Sequence, residues 1–317
     1  MKAAVVTVEG QAPAWLDFAE PAAAEGEQFI EVSAAALSPL TRARASGTHY
    51  SSAGAYPFVA GVDGVGRLED GRRAYFVLPR APFGAMGERS VVDAARVIPL
   101  PDELDDVTAA AIANPGMSSW AALTERAKLR AGETVLINGA TGSSGRLAVK
   151  IARHMGAGKV IATGRDRTVL DSLGADVAIP LDGEESELER SFKPHFAQGV
   201  DVVLDYLWGP SARAALIAGA RAGRDGVPLR FVQIGSIGGA EISLPGAVLR
   251  SSAIELMGSG IGSVSLDRLV GAIAALFAAA TPAGLALPTV TMPLERVAEA
   301  WARGGRERVV VTIGRSR

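Results

Sequence analysis

The spacing of apolar positions along the chain changes partway. Up to Leu104, short apolar runs are separated by Gly, Pro and Ala clusters. Lys2–Val8, Phe29–Ser33, Gly61–Leu68 and Ala74–Leu78 predict strands, and Pro39–Ser46 one short helix, as in a small, partly open barrel. Thr108–Ile112 opens a helix that Asn114-Pro115-Gly116 should break before Ser118–Leu129 begins the next. From Thr134 the pattern becomes regular. Thr134–Asn138, Lys159–Thr163, Val177–Ile179, Val200–Leu204, Arg230–Ile234 and Ala253–Met257 predict strands. Helical patterns at Thr168–Leu173, Ser186–Phe196 and Ser211–Ala220 lie between them, and a loop, Gly235–Arg250, should carry the last crossover. Six such strands complete a doubly wound parallel α/β sheet. Leu266–Ala280 predicts a long helix. Leu287–Thr291, Leu294–Ala302 and Arg308–Ile313 predict a strand, a helix and a strand that return to the first region. The expected division is a β-rich domain of 1–112 with 261–317, and a dinucleotide-binding domain of 113–260.

The chain is organised around Thr134–Thr163. An apolar strand runs into Ala140-Thr141-Gly142-Ser143-Ser144-Gly145, an AxGxxG form of the dinucleotide fingerprint. The bare Cα of Gly142 lets a pyrophosphate approach the backbone, and Gly145 lets the helix pack on its strand. That helix carries Leu147, Ala148, Ile151, Ala152 and Met155 along one face and offers free N–H groups at its start. After the second strand come Gly164, Arg165, Asp166 and Arg167. Arg165 and Arg167 suit the 2′-phosphate of NADPH. In the opposing reading both arginines are solvated and Asp166 takes the ribose of NAD.

Composition narrows the field. The 317 residues are 48% hydrophobic, enough for a large globular core. A net charge of −2, dispersed along the chain, leaves no basic footprint for nucleic acid or an anionic membrane. The absence of cysteine excludes disulfides, thiolate metal sites and a cysteine nucleophile. MKAAVVTVEG lacks an apolar run long enough for secretion, and Leu269–Ala280 is too short to span a bilayer, so a cytoplasmic protein is expected.

The order of parts resembles the medium-chain dehydrogenase/reductase superfamily, in particular its zinc-independent quinone oxidoreductase branch. The resemblance rests on Gly61-Val62-Asp63-Gly64-Val65-Gly66, Ile98–Leu104, Gly87-Glu88-Arg89, Gly116-Met117-Ser118-Ser119-Trp120, the AxGxxG turn and Leu173-Gly174-Ala175-Asp176. It implies a Rossmann sheet with a GroES-like barrel as catalytic domain, and NADPH as cofactor. It also implies that Met117 and Ser118 lie beneath the nicotinamide and that Asp205-Tyr206 faces the cofactor. Gly235 and Ser236 should approach the nicotinamide half, and Gly258, Ser259 and Gly260 its carboxamide.

The departures carry chemistry. Where zinc alcohol dehydrogenases of this superfamily have a GHE motif, this chain has Val62 and Asp63, and Ser38 stands near their first cysteine ligand. His49, His154 and His195 are too scattered to replace those ligands. Without a Lewis acid an alcohol is a poor substrate, whereas a quinone or an α,β-unsaturated carbonyl compound spreads the incoming charge and needs only hydrogen-bond donors. Zinc-free relatives often have Asn and Asp where Ser38 and Thr41 stand. Ser38 is therefore a candidate partner of the nicotinamide ribose or substrate, and Thr41 a candidate oxyanion donor. Tyr50, with Tyr56 as a lesser candidate, would stack on the acceptor or donate its hydroxyl.

Two other readings fail. No tyrosine has a lysine four residues on, as a short-chain dehydrogenase needs, and Gly142-Ser143-Ser144-Gly145 has the wrong spacing for a hydrolase elbow. The remaining alternative is a non-catalytic NADPH-binding protein on the same scaffold. The sixth strand would leave an open apolar edge, so a homodimer or homotetramer is expected.

Overall fold

The computed structural model describes residues 1–48 and 55–314, which divide into two units. Unit 1 comprises Met1–Asn114, Ile273–Pro282 and Ala286–Arg317; unit 2 comprises Pro115–Ala272 and Ala283–Leu285.

In unit 1 the chain forms β1 (Lys2–Val6), β2 (Ala14–Asp17), β3 (Glu27–Ala36), α1 (Pro39–Ala45), β4 (Phe58–Val59), β5 (Asp63–Leu68), β6 (Arg73–Val77), β7 (Arg89–Asp93) and β8 (Val97–Pro99). β1 lies between β2 and β4. Within the ten residues of β3, the stretch from Glu27 to Glu31 pairs with β7 and that from Ile30 to Ala34 with β5, the latter shifting register between Val32 and Ala34. Ile30, Phe76, Met86, Val92 and Val311 are fully or almost fully buried in the core behind these strands.

The helix α2 (Asp106–Ala121) corrects one expectation, because it runs straight through Pro115-Gly116. Proline forfeits one hydrogen bond there. Burial outweighs the loss: Ala109–Ala113, Ser119 and Leu123 are at most 1% exposed. The Oγ atoms of Ser118 and Ser119 donate to the Pro115 carbonyl at 2.8 and 3.2 Å. A π-helical segment, Ala122–Ala127, then ends at left-handed Lys128.

Unit 2 contains β9 (Thr134–Asn138), α3 (Ser143–His154), β10 (Lys159–Gly164), α4 (Arg167–Ser172), β11 (Val177–Pro180), α5 (Glu185–Gln198), β12 (Val202–Asp205), α6 (Gly209–Ala222), β13 (Leu229–Gln233), α7 (Gly246–Arg250) and β14 (Ile254–Gly258). The strand order β11-β10-β9-β12-β13-β14 is that of a Rossmann sheet, and all its pairs are parallel. Its central strands are covered on both faces, which is why they read as unbroken apolar runs. The expected crossover loop before β14 contains the short helix α7.

After α8 (Leu266–Ala280), β15 (Thr289–Pro293), α9 (Val297–Ala302) and β16 (Arg308–Thr312) complete unit 1, with β16 antiparallel to β3. No helix among the described residues is long and apolar enough to cross a membrane.

Candidate functional site

Unit 2 assembles one set of candidates where its strands end. β9 presents three buried apolar residues and then Asn138, after which the chain turns sharply. The Ala140 N–H donates to the Thr163 carbonyl at 2.7 Å, tying the turn to β10. Gly142 caps α3, so Ser143 and Ser144 form its first turn, with amides that have no carbonyl inside the helix. A Cβ on Gly145 would overlap the Gly139 carbonyl oxygen and sit 2.5 Å from the Ala140 Cα. At Gly142 a Cβ would meet only the Gly139 oxygen, at 3.7 Å. The turn is thus closed towards the protein and open at its mouth, which fits a pyrophosphate.

Beneath the turn lies a buried polar network that the strand pattern did not reveal. In the β9–β12 register Asn138 stands opposite Asp205. Its amide donates to Asp205 Oδ1 at 2.8 Å and to Ser211 Oγ at 3.0 Å. Its carbonyl accepts from Thr163 Oγ1 at 2.9 Å, and Thr163 Oγ1 accepts the Gly139 N–H at 3.1 Å. Asp205 also accepts the Leu207 and Trp208 N–H groups, and Trp208 has a φ of 58°. The expectation that Asp205 faces the cofactor is therefore corrected: its carboxylate is fully buried and turned into the protein. The only available signal was a polar residue ending each of three apolar strands.

Burial pushes the Asp205 pKa up to about 6, against the hydrogen bonds from Asn138, Leu207 and Trp208. A folded pKa above the unfolded one adds stability that is complete below about pH 4 and lost as pH rises through 6. The rise from the ordinary carboxylate value to about 6 corresponds to about 3 kcal/mol. Asp205→Asn is expected to gain stability relative to the parent as pH rises from 4 to 7. Urea unfolding at several pH values measures this, and a constant difference would refute it.

Tyr206 places its hydroxyl 2.7 Å from Ser119 Oγ, whose single proton is shared between the Pro115 and Ser144 carbonyls at 3.2 and 3.1 Å. Ser119 therefore ties α2 to the first turn of α3, a role its place in the sequence did not suggest. Met117 packs with Trp120, Ala121, Val264, Leu269 and Ala272. Gly235 and exposed Ser236 follow β13, and Gly258 ends β14 with its carbonyl accepting from Arg126 at 2.7 Å. The Ser259 N–H donates to the Gln233 carbonyl at 2.8 Å, and the Gly260 N–H to Ser263 Oγ at 2.8 Å.

At the end of β10, Gly164 has a packing reason of its own, because a Cβ there would overlap Thr141 Cγ2. Arg165 is exposed, Asp166 caps α4 by accepting the Val169 N–H, and Arg167 pairs with Asp182 at 2.6 Å.

The other set belongs to unit 1. Ser38 is buried and is the N-cap of α1: its Oγ accepts the Thr41 N–H at 2.9 Å and lies 2.8 Å from Thr41 Oγ1. Thr41 also lines a pocket of about 300 Å³ with Arg44, Tyr56, Phe58 and Phe83. Tyr50 and His49 lie outside the described residues. His154 packs against the Trp120 ring at 6.2 Å. No cluster of three potential metal ligands occurs among the described residues.

No protein-family model matches the sequence. The chain is 31% identical to a probable NADPH-dependent quinone reductase of Emericella nidulans, over 95% of this chain and 96% of that protein. It is similar in structure to the quinone oxidoreductase of Thermus thermophilus, whose structures include a complex with NADPH. The TM-score is 0.79 at 27% identity, covering 98% of this chain and all of that one. A mycobacterial quinone oxidoreductase, 20% identical, shares the fold with a TM-score of 0.84 over 98% of this chain and 99% of its own.

Proposed function

This chain belongs to the medium-chain dehydrogenase/reductase superfamily, in its quinone oxidoreductase branch, and we propose that it transfers hydride from NADPH to a quinone or an α,β-unsaturated carbonyl compound without zinc. The observation that carries the NADPH part is the turn closed behind Gly145 and open at Gly142, at the head of α3. Ala140, Thr141, Gly142, Ser143, Ser144 and Gly145 hold the pyrophosphate through backbone N–H groups. Arg165 carries the 2′-phosphate, assisted by Arg167, which shares its charge with Asp182. Met117, Ser118, Tyr206, Gly235, Ser236, Gly258, Ser259 and Gly260 surround the nicotinamide half.

When bound, NADPH would supply a hydride, which with a single proton from water converts a quinone to its hydroquinone or an enone to the saturated carbonyl compound. The new C–H bond of an enone draws the former C=C pair towards the carbonyl oxygen. Thr41 stabilises that oxygen. With Ser38 donating to Thr41 Oγ1, the Thr41 proton is available to the pocket. The protein acts in the cytoplasm as a homodimer or homotetramer. The edge position of β14, where Leu256 is 40% exposed, supports this, and gel filtration at the monomer mass would remove it.

Absorbance at the reduced-nicotinamide band tests the activity on chelator-treated protein, with NADPH or NADH and either a simple quinone or an enone. NADPH consumption that survives the chelator is expected, with NADH at least about tenfold poorer. Arg165→Ala should raise the KM for NADPH by about 10- to 100-fold, the worth of a charge-assisted hydrogen bond, and more than Arg167→Ala. Equal use of NADH would refute the arginine assignment. NADPH binding without turnover would favour the non-catalytic reading, which draws on the commitment of Ser38 to the α1 cap.

A further inference from the structure

Three strands of the parallel sheet carry fully buried polar side chains at or beside their carboxyl ends: Asn138 on β9, Thr163 on β10 and Asp205 on β12. Apolar residues would fill such positions without needing partners. The direction of each hydrogen bond shows what the cluster holds. Asn138 directs its amide to Asp205 Oδ1 and Ser211 Oγ, which leaves its carbonyl for the Thr163 hydroxyl. A threonine hydroxyl has one proton, and Asn138 takes it. Only lone pairs of Thr163 Oγ1 then remain for the Gly139 N–H, 3.1 Å away. The main-chain carbonyl of the same threonine accepts the next amide, that of Ala140, at 2.7 Å.

Gly139 is the residue on which the turn pivots. Its φ of 92° lies in the range that glycine tolerates, and a Cβ there would stand 2.8 Å from Leu207 Cγ. Leu207 is itself held, because its N–H donates to Asp205 Oδ1 at 3.1 Å. The Gly139 carbonyl shares a peptide plane with the Ala140 N–H. It accepts the Gly142 N–H and is the atom that a Cβ on Gly145 would strike. Thr163 therefore grips both peptide groups that flank Gly139, one through its side chain and one through its backbone. The second of those peptides faces the start of α3.

We propose that Thr163 is a positioning residue for the dinucleotide pyrophosphate: backed by Asn138 and Asp205, its hydroxyl sets the peptide orientation at Gly139 on which the first-turn amides of α3 depend. It is buried and acts on the ligand only through the turn. This assignment rests on the NADPH reading above, and the experiment separates the two.

Thr163→Val keeps the shape of the side chain and removes its hydroxyl. Calorimetry follows binding of NADPH, 2′-phospho-ADP-ribose and adenosine 2′-monophosphate to the parent and to this variant. The first two ligands carry the pyrophosphate and the third lacks it. NADPH and 2′-phospho-ADP-ribose should each bind the variant at least tenfold more weakly. A shift of the turn well short of about 1 Å is enough for this. Adenosine 2′-monophosphate should bind both proteins within twofold. A purely structural role would weaken all three ligands together or none of them, and either result overturns the assignment. Thr163→Ser retains the hydroxyl and should recover most of the loss; no recovery also overturns it. In parallel, hydrogen exchange without added nucleotide reads the turn directly. Exchange across residues 137–146 should quicken at least tenfold in Thr163→Val, while α5 changes less than threefold. Unchanged exchange at the turn overturns the assignment. Should the parent bind none of the three ligands, the NADPH reading fails while the exchange measurement still decides whether Thr163 holds the turn. Thr163→Ala, which also lacks the hydroxyl, replaces the valine variant if the latter does not fold.

Discussion

Gly145→Ala is expected to weaken NADPH binding by at least about 100-fold and to destabilise unit 2 by about 1–3 kcal/mol. The backbone of Gly145 is helical, so alanine's intrinsic preference for helix would favour the substitution. Space decides against it. The added methyl would overlap the Gly139 carbonyl oxygen and crowd the Cα and carbonyl carbon of Ala140, all of which are backbone atoms that no rotamer change can move aside. α3 must retreat from the turn, at the cost typical of overpacking. Its first-turn amides then leave the position prepared for the pyrophosphate, and a displacement near 1 Å can cost about a hundredfold in function. Gly142→Ala provides the contrast, since its methyl meets no protein atom closer than 3.7 Å. That variant should keep the parent's stability within about 0.5 kcal/mol while losing NADPH affinity, because its methyl occupies the open mouth. Fluorescence titration with NADPH and urea unfolding of both variants measure the two effects separately. Equal behaviour of the two variants would sink the account.

Arg308→Met is expected to cost about 1–3 kcal/mol, because it removes the positive charge that acts through space on a buried, under-bonded carboxylate. Arg308 opens β16 and is 7% exposed, while Asp63 opens β5 and is 1% exposed. Asp63 Oδ2 accepts the Tyr75 hydroxyl at 2.6 Å. Burial pushes the Asp63 carboxyl pKa up and the Arg308 guanidinium pKa down, and each charge opposes the other's shift. Asp63 Oδ1, Arg308 Nε and Arg308 Nη2 find no hydrogen-bond partner among the described residues, so the two buried charges act on each other through space and not through a hydrogen-bonded ion pair. Removing Arg308 leaves a buried carboxylate supported by one phenol. Asp63→Asn combined with Arg308→Met removes both charges and should recover much of the loss. A double variant as unstable as the sum of the single ones would show that the two side chains act independently.

Much of the cofactor half was legible because its signals are local. A strand buried on both faces, a turn that needs glycine and a helix with one apolar face each announce themselves within a few residues, and β9, α3 and β10 lie where the pattern put them. The exposed strand β2 was not legible. All four of its residues face solvent, so no alternation marks it, and it exists by pairing with β1. Pro115 misled for the complementary reason: a local helix breaker was overruled by burial on both sides of it.

By itself the sequence determined the order of elements in unit 2, its parallel sheet and the glycine turn, because period and turn chemistry are properties of adjacent residues. It also set which chemistries are missing, since a chain without cysteine cannot acquire a thiolate site by folding. Only the tertiary structure decided what the polar residues at the strand ends do. Asn138 and Asp205 become partners through the register of β9 against β12, 67 residues apart in the chain. Ser119 meets Tyr206 only because α2 packs beside the glycine turn. Burial and partner choice depend on which distant segments meet, and no local pattern of residues encodes that.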